Sequence, residues 1–509
     1  MLKRILIGTT LAGMATCFAV SGAEVVSERP TLVLAIVVDQ MRYDYLTRFD
    51  TEFSGGLKRL LEEGAVFTNA NYEAAPTVTA IGHSTILSGA TPSVSGIAGN
   101  TWFERSEGKN VQSITDVNVT PLGGGAGASP HRLAVSTIGD ELKISGKGGK
   151  VYGVSLKDRS AILPVGRSAD GAFWFDGNSG NFVSSTWYFP ELPTWAAEFN
   201  AAKHADAYAG KEWLGMQLPA SVGNELYGEI DATPFADQLV LDFALTIMKA
   251  EQLGTDDATD LLSVSFSAMD YVGHATGPDT PQMHDMVLTI DARVGELLEA
   301  AEQQAGAGNV LVIFTADHGV APVPEENITK QLPGGRYSTQ DERLAVEAAM
   351  TAAFGEGSFI EGNAELGMYL NADPVAGKTI SSSDLERVAA QTLRRQPHVY
   401  RVYTRTELES GLISGDRIDN GFSTLHSGDV IVVHEPNWLG GGFGGTTHGS
   451  PFSYDTHVPV IFWGPQSLIK KGRYNRDAAV HDIAPTLATM LGIAAPSGTM
   501  GRVLDEILP

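Results

Sequence analysis

Cysteine is nearly missing from this chain: one residue in 509, Cys17, and it falls near the amino terminus. Disulfides and thiolate-bound metals are therefore excluded as supports for a folded domain beyond it. Positive charge is scarce as well, with 35 Lys and Arg against 60 Asp and Glu and a formal charge of −25. That balance argues against nucleic acid or an anionic membrane as a partner held by general electrostatics. An anionic substrate is repelled at long range too, although salt screens the repulsion beyond about 8 Å. Any attraction for it must come from fixed positive charge at a site. Long apolar runs are also missing after residue 23, where no segment reaches the roughly eighteen residues a membrane span needs.

The first 23 residues read as a leader. Lys3 and Arg4 precede an apolar run from Ile5 to Val20, and Ser21-Gly22-Ala23 supplies small residues for cleavage. Met14-Ala15-Thr16-Cys17 is a poor lipobox, so no lipid anchor is expected. The reading is a signal peptide at 1–23, a mature domain at 24–509, and a periplasmic or secreted location. Loss of Lys3 and Arg4 with the leader makes the mature chain more acidic still.

What is present is an α/β rhythm. Thr31–Val38 is a β-branched run without a polar break, the pattern of a strand covered on both faces. Leu261–Phe266, Val310–Phe314, Asp429–Val433 and Val458–Trp463 are similar. Between them, Met286, Ile290, Val294, Leu297 and Ala301 form a helical stripe, and Phe235–Leu253 and Ile483–Leu491 are also expected helices. Strands alternating with long helices predict a mostly parallel central sheet flanked by helices. The less regular stretches at about 160–230 and 325–440 are expected to be cap insertions over that core.

In such sheets ligands bind at the carboxyl ends of the strands, and the polar residues fall there. Asp39 follows the first run, Asp270 and His274 lie just after another, and Asp317-His318-Gly319 ends a third. Adjacent strand residues point to opposite faces, so Asp317 and His318 can share a metal only where the strand has stopped, a departure Gly319 permits. Alone, an Asp-His pair is more often a turn; its company changes that weighting. Asp270 and His274, four apart, share one face of a helical turn, as a chelating pair requires. His448, beside Gly449-Ser450-Pro451, completes that set, with His457 as a competitor placed outside the ligand shell. Thr79 stands ahead of an expected helix at Ala80–Leu87. The helix dipole is worth about 1 kcal/mol there, too little to ionise a threonine. Coordination to a dication lowers the pKa of water from about 15.7 to about 7 and suffices. Thr79 could otherwise be an N-cap, or His83 its general base, although position i+4 faces back along the helix. The seven groups Asp39, Thr79, Asp270, His274, Asp317, His318 and His448 suit two zinc ions poised for phosphoryl transfer; manganese, cobalt or iron would accept the same donors.

Lys157 and Arg159 follow the strand-like VYGVSL, and period two puts them on one face with Asp158 opposite. Two divalent ions balance three carboxylates and an ionised Thr79. Lys157 and Arg159 then supply the two charges that a phosphate-monoester dianion needs, with Arg able to grip two phosphoryl oxygens. This favours a monoester over a diester. Asn100, in Gly99-Asn100-Thr101-Trp102, is by residue type a turn residue.

The blocks VVDQMRYDYL, PTVTAIGHSTILSG, GIAGNTWF, SLKDRSAILP, DYVGHATGP, FTADHGV, GTTHGSPFSYDTHVPVIFWG and HDIAPTLATMLG span most of the mature chain. Together they resemble the alkaline phosphatase superfamily, and within it the phosphate-irrepressible (PafA-type) alkaline phosphatases. The resemblance implies an alkaline-phosphatase-like core and two Zn2+ ions. One ion would lie on Asp39, Thr79, Asp317 and His318, the other on Asp270, His274 and His448. It further implies Thr79 as nucleophile, Asn100, Lys157 and Arg159 on the phosphoryl oxygens, and a phosphothreonine intermediate. Phosphate monoesters would be the substrates and inorganic phosphate the product, with no nucleic-acid partner and no membrane after leader cleavage. The rival within the superfamily is a nucleotide pyrophosphatase or phosphodiesterase, which uses Thr but lacks the Lys and Arg pair. A scaffold that has lost catalysis would be missing at least one ligand, and here none is missing.

Overall fold

The computed structural model describes residues 29–441 and 444–509; the expected leader and Cys17 lie outside them. The first apolar run forms the strand Leu32–Val38, with all seven residues buried. It pairs in parallel with Thr259–Phe266 on one side and Val310–Thr315 on the other. Gly148–Ser155 and then Gly171–Asp176 continue the parallel series. Toward the edges the pairing turns antiparallel, at Val460–Trp463 and at Asn181–Ser185. The result is a ten-stranded sheet, parallel through its middle. Parallel strands need both faces covered, which is why these runs lack alternation. The helix Pro281–Ala305 buries the predicted stripe, and Pro234–Glu251 and Ile483–Leu491 form where their patterns indicate.

Two expectations need correction. Residues 171–176 and 181–185 are strands of the central sheet, so part of the 160–230 stretch is core rather than cap. Gly171–Asp176 is wholly buried, and its apolar stretch, Ala172–Phe175, is too short to stand out in the sequence. The run near 429–433 is the strand Val430–His434, but it belongs to a separate four-stranded sheet with Ile360–Ala364, Gly367–Leu370 and Val399–Thr404. The helices Thr339–Phe354 and Ser382–Leu393 pack on that sheet around Val346, Met350, Leu385, Leu393 and Val432. This second unit has its own core, within the stretch read as an insertion. Among the described residues no helix is long and apolar enough to cross a membrane.

Register sets the site. Val37 lies opposite Thr315, and Val38 opposite Phe266. The next residues of these central strands therefore emerge side by side at one edge.

Candidate active site

Asp39 leaves its strand with its N–H still donating to Phe266 O at 2.9 Å, so its side chain is fixed at the sheet edge. Asp317 and His318 follow Thr315 on the neighbouring strand, and all three of these side chains are fully buried. His318 Nε2 lies 3.4 Å from Asp39 Oδ1 and 3.4 Å from Asp317 Oδ2. Asp39 Oδ1, Asp317 Oδ2 and His318 Nε2 are buried without a hydrogen-bond partner. Three orphaned acceptors in one place would cost several kcal/mol if left so. Their chemistry, two carboxylate oxygens and an imidazole nitrogen, suits a divalent cation.

Asp270 and His274 sit one turn apart on the helix Ala268–Thr276, with His274 Nε2 3.2 Å from Asp270 Oδ1. His448 Nε2 is 3.6 Å from the same oxygen. Asp270, His318 and His448 form one set of close ligand atoms, and Asp39, Asp317 and His318 form another. His318 thus belongs to both sets, while His274 joins through Asp270 and keeps a side chain 37% exposed.

Each imidazole is oriented from behind. Nδ1 of His274, His318 and His448 lies 2.9, 2.9 and 2.7 Å from the carbonyls of Thr446, Gly319 and Thr77. A carbonyl can only accept, so Nδ1 carries the proton and Nε2 presents a lone pair to the carboxylates. Burial, reinforced at His448 by neighbouring His318, holds the pKa of both His318 and His448 down and keeps them neutral. Among the acids, burial followed by the charge of Asp317 pushes Asp39 well above the ordinary carboxylate range. Burial also works to raise Asp270 and Asp317. At Asp270 the Lys157 ammonium and His274 outweigh it, and at Asp317 the nearby His83 N–H and the Lys157 charge do, so both are lowered.

Thr79 is the first residue of the helix Thr79–Ser88, and Val78 holds the N-cap position, which removes the N-cap role for Thr79. The cap is supplied from outside: Asn100 Oδ1 accepts from Ala80 N at 2.9 Å. His83 is not a base for the Thr79 hydroxyl. Its Nδ1 lies 3.0 Å from the Thr79 carbonyl and 3.3 Å from Asp317 Oδ2, and its Nε2 lies 2.9 Å from Ser265 Oγ. It therefore ties the Thr79 helix to Asp317. Gly82 permits that contact, because a Cβ there would stand 2.2 Å from Asp317 O. Gly82→Ala should cost about 1–3 kcal/mol through overpacking and lower turnover by moving Thr79 off Asp317. Thermal unfolding and steady-state kinetics on the same variant check both effects.

Lys157 and Arg159 do not share a strand face. The strand ends at Ser155, Lys157 precedes the short helix Asp158–Ile162, and Arg159 is inside it. Lys157 is buried, with Nζ 2.6 Å from Asp39 Oδ2 and 2.5 Å from Asp270 Oδ2. Those carboxylates hold its ammonium firmly protonated against the opposing effect of burial. Arg159 is 27% exposed, and its Nε is buried without a partner. His457 is outside the cluster: it bonds Thr68 O at 3.1 Å and stacks on Tyr43. Gly319 has no left-handed φ; a Cβ there would meet Tyr454 O at 2.2 Å, so close approach is what demands it.

One residue escaped the sequence reading. Gln40 has φ +67, a rare conformation for a non-glycine. It donates its N–H to Asp317 Oδ1 at 3.1 Å and its amide to Asp270 Oδ1 at 2.5 Å. It links the two ligand sets, and Gly273 makes room for it. Adjacency to Asp39 was its only signal in the sequence.

A buried cluster of this kind at the strand ends of a helix-flanked sheet can hold cations next to the Thr79 helix and polarise an ester there. Residues 33–450 match the family model for type I phosphodiesterase / nucleotide pyrophosphatase. Alkaline phosphatase PafA from Elizabethkingia meningoseptica is 34% identical over 94% of this chain and 95% of its own. A Myroides odoratus protein named calcium-transporting ATPase is 34% identical over 96% and 97%. The crystal structure of wild-type alkaline phosphatase PafA superposes with a TM-score of 0.87 at 33% identity, covering 94% of this chain and 99% of that one. The chain belongs to the type I phosphodiesterase / nucleotide pyrophosphatase family, and within it to the PafA-type alkaline phosphatases. It is a phosphatase, a hydrolase of phosphate monoesters with clustered residues able to hold a metal ion.

Proposed function

We propose that this phosphatase is exported, holds two zinc ions, and hydrolyses monoesters through a phosphothreonine on Thr79. The observation that carries this reading is the set of buried, unpartnered atoms on Asp39, Asp317 and His318 beside the Thr79 helix. Asp39, Thr79, Asp317 and His318 would hold one ion, and Asp270, His274 and His448 the other. Zinc, when bound, supplies Lewis-acid charge that lowers the pKa of an oxygen against it and offsets charge on the phosphoryl group. Mixed carboxylate and imidazole donors with a hydroxyl suit it.

Thr79 Oγ attacks phosphorus in line with the departing ester oxygen; one P–O bond forms as the other breaks. Water then cleaves the phosphothreonine, releasing inorganic phosphate. Asn100 spends its oxygen on Ala80 N–H and keeps its amide donors for the phosphoryl oxygens. The Arg159 guanidinium grips them as well, and Lys157 is the point charge between Asp39 and Asp270. Catalysis is thus mostly positioning and charge stabilisation. The second unit, within about 325–440, acts as the cap over this centre. The leader at 1–23 directs the chain to the periplasm or beyond.

A monoester phosphoryl group carries more negative charge than a diester's, so the cationic pair should discriminate. Lys157→Ala combined with Arg159→Ala should reduce kcat/KM for an aryl phosphate at least tenfold more than for its methyl diester. Equal losses on the two substrates would refute the charge assignment.

A further inference from the structure

A cavity of about 260 Å³ opens against the centre, with Val78 and His448 in its wall. Val78 directly precedes Thr79, and His448 belongs to the ligand set opposite the Asp39 group. If the Asp39 group held an ion at Thr79 and the His448 group a second one at the departing oxygen, the leaving group would extend into this cavity. The other walls come largely from residues beyond 330. Tyr337, Trp438 and Tyr454 are aromatic, and Glu365, Glu435 and Asp455 are acidic. No Lys or Arg is among the described residues that line it.

Two of the rings are braced by stacked imidazoles, one of which, His434, also lines the cavity. Tyr337 stacks on His434 with centroids 3.4 Å apart, and Trp438 on His398 at 3.2 Å. Glu365 accepts Asn100 N–H at 3.1 Å and remains open to solvent. Glu435 is engaged with His398 at 3.1 Å, and Asp455 accepts from Ser450 N–H and Oγ–H at 2.8 and 2.6 Å, which leaves Glu365 as the freer charge.

We propose that this cavity is a leaving-group subsite that takes alcohols bearing an organic ammonium group; the proposal rests on the reading of Thr79 and its neighbours as a phosphomonoesterase centre. Aromatic faces attract such cations, and the Glu365 carboxylate, on which only Arg159 acts from outside the cavity wall, adds to the attraction. The volume is below that of a drug-sized pocket and suits a small alcohol. Binding of this remote group can be used to align the ester with Thr79. An anionic leaving group meets Glu365 and is disfavoured.

The test compares kcat/KM of the wild-type holoenzyme for choline phosphate and for 3,3-dimethylbutyl phosphate, which has the same shape with neutral carbon in place of the ammonium nitrogen. The expected preference for choline phosphate is about tenfold. It should fall toward one in Trp438→Leu or in Glu365→Gln, which keeps an acceptor for Asn100 N–H. Because each ratio is taken within one protein, partial loss of folded enzyme does not alter it. A wild-type ratio of one or less with both esters hydrolysed would overturn the subsite alone, as would a preference unchanged in both variants. Failure of the wild type to hydrolyse either ester, or methyl phosphate, would overturn the phosphomonoesterase reading beneath it.

Discussion

Thr79→Ala should reduce turnover of phosphate monoesters by about 10⁴-fold or more, the scale on which enzymes lose activity with their nucleophile. The helix it begins should survive. Val78 is already the N-cap, Ala80 N is capped by Asn100, and the Thr79 carbonyl is held by His83. None of these contacts uses the Thr79 hydroxyl, so loss of one oxygen removes chemistry while leaving the scaffold. Inorganic phosphate should still bind, since Asn100 and Arg159 are untouched. Steady-state rates paired with phosphate binding by calorimetry separate the two. Wild-type turnover in this variant would refute Thr79 as nucleophile.

The second large effect concerns the cations. Asp317→Asn keeps the shape of the side chain, and its oxygen can still accept from Gln40 N–H, but it removes the charge beside His318 and His83. The variant should bind about one ion per chain instead of two and lose more than about a hundredfold in kcat/KM. His83→Ala, which takes away a group behind the ligand, should lose about 10–100-fold, typical of outer-shell partners. Elemental analysis with kinetics on both variants distinguishes them. Full metal content and activity in Asp317→Asn would exclude it as a ligand.

Much of this centre was legible in the sequence because its residues follow apolar strands. Asp39 and Asp317 could be placed on one edge from the runs before them, and Asp270 and His274 from helical spacing. Lys157 misled, because period two was carried past Ser155 into a turn and a short helix. Gln40 was invisible, since its role depends on a left-handed φ that no local pattern announces. The Gly171–Ser185 hairpin went unread because its apolar stretches, Ala172–Phe175 and Phe182–Val183, are short and lie among glycines and polar residues. Glu365 reaches Asn100 across 265 positions, a contact set only by how the second unit folds back.

The most direct measurement is stereochemical: transfer of an isotopically chiral phosphoryl group from a monoester to an acceptor alcohol by the wild-type holoenzyme. Each in-line displacement inverts phosphorus, so passage through phosphothreonine gives net retention. Net inversion would mean that the acceptor attacks the substrate directly, and Thr79 would then have no covalent part in the reaction.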